Sequence, residues 1–91
     1  MKEKPLNKDK KKRDEEKSCL VLFNDAVNTF EHVIKSLVDV CGHDPVQAEQ
    51  CAMLVHLKGR CDIKIGSEPV LSQMSKSLNR LGLNSCVCPR N

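Results

Sequence analysis

The first 17 residues most constrain what this chain can fold into: they hold thirteen charged side chains and, beyond Met1, a single apolar one, Leu6. Such a stretch cannot bury enough apolar surface to offset its chain entropy, and it reads as a charged, disordered tail. Residues 18–91 are left to build a core. A domain of that size buries only roughly 60% of the surface its unfolded chain exposes. There is little room for both a core and a deep active site, so a shallow surface pocket is the expectation.

The tail also carries the charge. It has eight Lys/Arg against five Asp/Glu, the whole formal excess of +3, and the remainder is balanced at seven against seven. Lys10-Lys11-Lys12-Arg13 is a basic run, but Asp14-Glu15-Glu16 follows at once and blunts it. There is no Trp or Tyr, and both Phe fall in core patterns. Binders of single-stranded nucleic acid need exposed aromatic platforms, so no nucleic-acid partner is expected. No apolar run approaches the 18 or so residues of a membrane span, and the N-terminus lacks the apolar segment of a secretory signal. The expectation is a cytoplasmic protein with no membrane partner and reduced thiols.

The six cysteines do not spell a zinc or disulfide framework. Cys19, Cys41, Cys51 and Cys61 stand ten or more residues apart, only Cys86 and Cys88 are close, and no C-x-x-C occurs. The first four sit within apolar patterns and read as small core hydrophobes. No metal or other cofactor is expected.

Periodicity orders the elements. Cys19-Leu20-Val21-Leu22-Phe23 is a short continuous apolar run that suits a buried strand. After Asn24-Asp25, Asn28 with Glu31 three residues on fits an N-cap and capping box. Phe30, Val33, Ile34, Leu37, Val38 and Cys41 follow helical spacing over 29–41, and Gly42 is a stop. Asp44-Pro45 restarts a helix whose stripe is Ala48, Cys51, Ala52 and Val55, ending before Gly59. Residues 60–65 alternate strictly, with Cys61, Ile63 and Ile65 on one predicted face and charges on the other. Ser67 opens a third helix with the stripe Leu71, Met74, Leu78 and Leu81, Gly82 stops it, and 83–88 reads as a last strand. The order β-α-α-β-α-β predicts an α+β fold, a small antiparallel sheet covered on one face by three helices.

Little in this pattern can carry catalysis. Cys51 and His56 are five apart on one helix, about 140° around its axis, and point different ways. Cys41 and His43 straddle a helix end. No triad, metal cluster or phosphate loop is visible, so an enzyme is not expected. Two features stand apart from the core pattern: Asn24-Asp25 at the end of the first strand and His56 in the last turn of the second helix.

These features sit inside two longer motifs. Val21-Leu22-Phe23-Asn24-Asp25, followed by Asn28-Thr29-Phe30-Glu31-His32-Val33-Ile34, resembles the opening of the Clp protease adaptor (ClpS-like) family. Ala48 through His56, followed by Lys58-Gly59, resembles that family's second motif, a helix ending in Val-His with Gly three residues past the His. The wordings Asn-Thr-Phe and Ala-Glu-Gln-Cys are similar to Bacteroidota forms. The resemblance covers roughly residues 19–87.

The resemblance implies a non-catalytic adaptor. It would bind the free N-terminal residue of substrate proteins with bulky hydrophobic N-termini (N-degron recognition) and hand them to a hexameric Clp ATPase of the ClpA or ClpC type and its peptidase. By matching position, Asn24, Asp25 and His56 would bind the peptide N-terminus. Asn28, Phe30, Val33, Ala52 and Val55 would line the side-chain pocket, and Glu68 would contact the ATPase. This sequence departs from the family pattern at Ala26, where an acidic residue usually follows Asn-Asp, and at Ala52, where Met is common. The alternative is an interaction module resembling the C-terminal domain of the ribosomal stalk protein, without amino-terminus recognition.

Overall fold

The computed structural model describes residues 18–90; the charged segment expected over 1–17 lies outside them. The elements are β1 (Ser18–Phe23), α1 (Phe30–Cys41), α2 (Pro45–Lys58), β2 (Arg60–Gly66), α3 (Glu68–Arg80) and β3 (Asn84–Pro89). The sheet has the order β2-β1-β3, antiparallel throughout. β1 holds the centre because its apolar run is shielded on both edges. Leu20 and Leu22 project to one face and meet Leu37 and Cys41 of α1, Ala48 and Val55 of α2, and Leu71 and Leu78 of α3. Each fully buried leucine of this set contributes about 1.5–3 kcal/mol through burial. The helices cover that one face.

Local chemistry differs from the sequence expectation at several points. The N-cap of α1 is Thr29, whose Oγ1 accepts from the His32 backbone N–H at 3.1 Å. Asn28 does not cap, because its side chain is turned away to brace the loop: Nδ2 donates to Asp25 Oδ2 and to the Gly82 carbonyl, each at 2.8 Å. Asp44 and Ser67 occupy the N-cap positions of α2 and α3, but neither side chain makes a capping hydrogen bond. Leu81 falls outside α3 and is exposed, and Leu83 takes the buried place beyond it. Ser75 is buried on α3, where its hydroxyl meets that of Ser85 on β3 at 2.8 Å.

The alternation of residues 60–65 is broken by a bulge. β1 and β2 pair Leu20 with Lys64 and Val21 with Asp62, so Ile63 is the extra residue. Ile63 stays in the core, but Lys64 turns to the helix side, where its charge reaches Cys41. Ile65 pairs with Cys19 on the helix-free face and is 51% exposed. Period-2 patterning cannot reveal such an insertion, because the flip occurs in three dimensions at a residue of ordinary strand type.

His43 supports the bulge. Gly42 ends α1 in the left-handed region at φ 71°, and the ring that follows is only 7% exposed. Its Nε2–H donates to the carbonyl of Ile63 at 2.7 Å, the residue that the ladder skips. Nδ1 is buried with no hydrogen-bond partner. Replacing the donor leaves a carbonyl in the interior without one, which costs about 1–3 kcal/mol. His43→Phe is therefore expected to lower the unfolding free energy read from urea titration by that amount, with a lower midpoint, and His43→Gln, which keeps a donor, by less. An unchanged midpoint in His43→Phe would show that this bond does not hold the bulge.

Candidate functional site

The site forms where the C-terminal end of β1 meets the end of α2. Gly59 closes α2 with φ 89°, a conformation that side-chain-bearing residues rarely adopt, and its N–H bonds the carbonyl of Val55. The chain then enters β2 with Arg60 paired to Phe23, the guanidinium lying 5.5 Å from the ring centroid. One residue on, the Asn24 backbone N–H donates to the Gly59 carbonyl at 3.0 Å. These bonds bring the strand-end loop beside the last turn of α2, and so Asn24 beside His56.

The loop is built on Asp25. Its Oδ1 accepts the backbone N–H groups of Val27 at 2.9 Å and Asn28 at 2.8 Å, and its Oδ2 accepts the Asn28 amide. The Asn28 backbone bond, followed by the amide bond, holds the Asp25 carboxyl below its ordinary value of 3.8. The second amide hydrogen of Asn28 carries the brace across to Gly82. Beside it, His32 Nε2 donates to the carbonyl of Leu81 at 2.8 Å. The loop and the first turn of α1 are thus each tied to the turn between α3 and β3 by a hydrogen bond that spans about half the chain. His32, Gly59 and Gly82 were not among the candidate residues, and their partners lie too far along the sequence to leave a local signal.

Between these elements lies a hollow of about 440 Å³, lined by Asn24, Asp25, Ala26, Asn28, Phe30, Val33, Ala52, Val55 and His56. That volume is within the range of small-ligand pockets. Val55 and Ala52 are buried at its base, and Phe30, at 36% exposure, stands at its rim instead of in the core. Asn24 and His56 are exposed. Among the described residues their polar side-chain atoms take part in no hydrogen bond. Asp25 and Asn28 differ from them: the carboxylate is engaged within the loop, and the two amide hydrogens are held by Asp25 and by the Gly82 carbonyl. Glu68 lies apart, at the start of α3, where it accepts from the Ser72 hydroxyl at 2.9 Å and lines a separate open groove. Ala26 puts a methyl group on the wall.

This arrangement offers two unpaired acceptors, the Asn24 carbonyl and an imidazole nitrogen, above an apolar wall. Among the described residues no group of three or more His, Cys, Asp or Glu is placed to hold a metal ion, and no helix is long and apolar enough to cross a membrane.

Comparison with known proteins agrees with this construction. The family model described as "ATP-dependent Clp protease adaptor protein ClpS" matches residues 13–85. The chain belongs to the ClpS family of Clp protease adaptors. No curated protein matches it. Among solved structures it is similar to Agrobacterium tumefaciens ClpS2 bound to L-phenylalaninamide, with a TM-score of 0.79 and 20% identity over 82% of this chain and 99% of that one. That likeness extends to the β-α-α-β-α-β order and the one-sided helical layer.

Proposed function

We propose that this protein binds the free N-terminal residue of substrate proteins and delivers them to an ATP-dependent Clp protease, without catalysing a reaction itself. The observation that carries the reading is the hollow, with two unpartnered acceptors, Asn24 and His56, set over the apolar surface of Phe30, Val33, Ala52 and Val55. An α-amino group is mostly cationic at neutral pH and needs acceptors in a half-buried site. A large apolar side chain needs a wall of the kind Val33, Ala52 and Val55 supply. The ligand in the Agrobacterium ClpS2 structure, L-phenylalaninamide, combines these two features: a free α-amino group and a bulky apolar side chain.

Asp25 acts in this reading through the loop it organises, and Asn28 through the wall it holds in place. Glu68, outside the hollow, is left to meet a hexameric ATPase of the ClpA or ClpC type while cargo is bound. An interaction module of the ribosomal-stalk kind gives no account of the two unpartnered acceptors at the hollow.

The test is a titration with peptides that differ only in their first residue. Leu and Phe peptides are expected to bind near micromolar, about −8 kcal/mol, and Ile and Val peptides at least ten-fold more weakly, because a β-branch crowds the Phe30 ring. A panel flat across first residues would overturn the reading.

A further inference from the structure

The helix-free face of the sheet carries three thiols that the hollow does not use. β1 and β3 pair so that Cys19 lies opposite Cys88 and Val21 opposite Cys86. Cys86 and Cys88 are two apart on β3, so their side chains share a face, and their sulfurs are 3.5 Å apart. All three are free thiols, and none lines the hollow. Cys19 is buried, whereas Cys86 and Cys88 are half-buried on an edge strand.

Geometry decides what the pair can do. A disulfide needs sulfurs at about 2.05 Å and Cβ atoms within about 3.5–4.5 Å. Strand residues two apart are separated by roughly 6.6 Å along the chain, so direct closure would pull β3 out of its ladder. A single atom placed between the sulfurs makes no such demand. We propose that Cys86 and Cys88 form a two-thiol binding site for a thiophilic centre that takes two sulfur ligands, of which a trivalent organoarsenic oxide is the simplest. In that reaction two S–H bonds and one As=O bond are replaced by two S–As bonds, and the oxygen leaves with both protons as water. Arsenic stays trivalent and no oxidant is required.

The geometry of the pair fits this ligand better than it fits direct closure to a disulfide. Burial, and then the hydrogen bond with Cys88, push the Cys86 thiol up. Burial also raises Cys19. Oxidation and S–As bond formation both run through the thiolate, so the geometry of the pair, not its acidity, decides between them. A structural zinc ion, which takes four ligands, has no such set here: among the described residues no group of three or more His, Cys, Asp or Glu is placed to hold a metal.

The experiment uses the full reduced chain and phenylarsine oxide. One equivalent is expected to bind, to be released by dithiothreitol, and to shield Cys86 and Cys88 of the unsubstituted protein from maleimide, as read by peptide mass mapping. Cys86→Ser and Cys88→Ser are each expected to weaken capture on the order of a hundredfold, the advantage of a second tethered bond, and Cys19→Ser to leave it unchanged. The competing sulfur pair is Cys51 and Cys61, which lie within reach of each other between α2 and β2. Shielding of Cys51 and Cys61 in place of Cys86 and Cys88 would overturn the proposal, as would capture by either β3 variant equal to that of the unsubstituted protein, or loss of capture in Cys19→Ser.

Discussion

Asp25→Ala is expected to lower peptide affinity by about a hundredfold while leaving the core melting transition nearly in place. Asp25 makes three hydrogen bonds, all within its own loop, to Val27, Asn28 and the Asn28 amide. A hydrogen bond to a charged group contributes about 1.5–3 kcal/mol, less where water can replace it. Val27 is exposed and finds water readily; Asn28 is half-buried and does not. Losing the brace therefore costs the loop about 2–4 kcal/mol. The loop carries Asn24 and one wall of the hollow, but its residues lie outside the main core cluster, so the cost falls on the site. Asp25→Asn is expected to rescue little, because its amide would set a donor against the Asn28 donor. Affinity within twofold of the parent in Asp25→Ala would show that the loop holds without its carboxylate.

The same brace has a pH signature. The folded carboxyl is held below 3.8 by Asn28. Its contribution is therefore present above the unfolded value and is lost as pH falls through the lower, folded one. The Val27 and Asn28 amide resonances are expected to report a titration midpoint below 3.8; a midpoint above it would mean the bonds do not favour the ionised form.

The second large effect concerns the amino group. N-acetylation of a Leu- or Phe-initiated peptide is expected to abolish measurable binding. It removes the positive charge and two donors facing Asn24 and His56. At about 1.5–3 kcal/mol for each charge-assisted bond, the loss is about 3–6 kcal/mol, more than a hundredfold. Asn24→Ala and His56→Ala are each expected to remove one such bond, a loss of roughly ten- to a hundredfold. Both substitutions leave the loop brace and the buried core untouched, so the loss would be one of recognition. Equal affinity for free and acetylated peptides would remove the basis for the proposed function, whatever happens at the two thiols of β3.

Much of this molecule is legible in one dimension because its elements are short and strongly patterned. The spacing from Val33 to Cys41 defines α1 to within a residue, Gly42 and Gly59 end their helices where the left-handed backbone is needed, and the apolar run of β1 marks the central strand. The two motifs around Asn24-Asp25 and Val55-His56 also suffice to select the residues that meet around the hollow. The motifs act through their resemblance to the family; the element signals are local and depend on the 3.6- or 2-residue period of a single element and on the backbone freedom of a single residue.

The tertiary structure decided the rest. Asn28 has an N-cap's sequence context, yet it braces a turn 54 residues away, because Gly82 offers a carbonyl and Asp25 an acceptor at the same time. Ile65 alternates correctly along the chain and still faces away from the helices, because the bulge at Ile63 resets the face and His43, 20 residues earlier, supplies the missing donor. Cys19 and Cys88 stand at opposite ends of the folded chain and become neighbours only through the register of β1 with β3. In each case the deciding free energy is that of pairing a buried polar group, or of filling a face, with a partner distant in sequence. A chain read residue by residue contains both partners but not the distance between them.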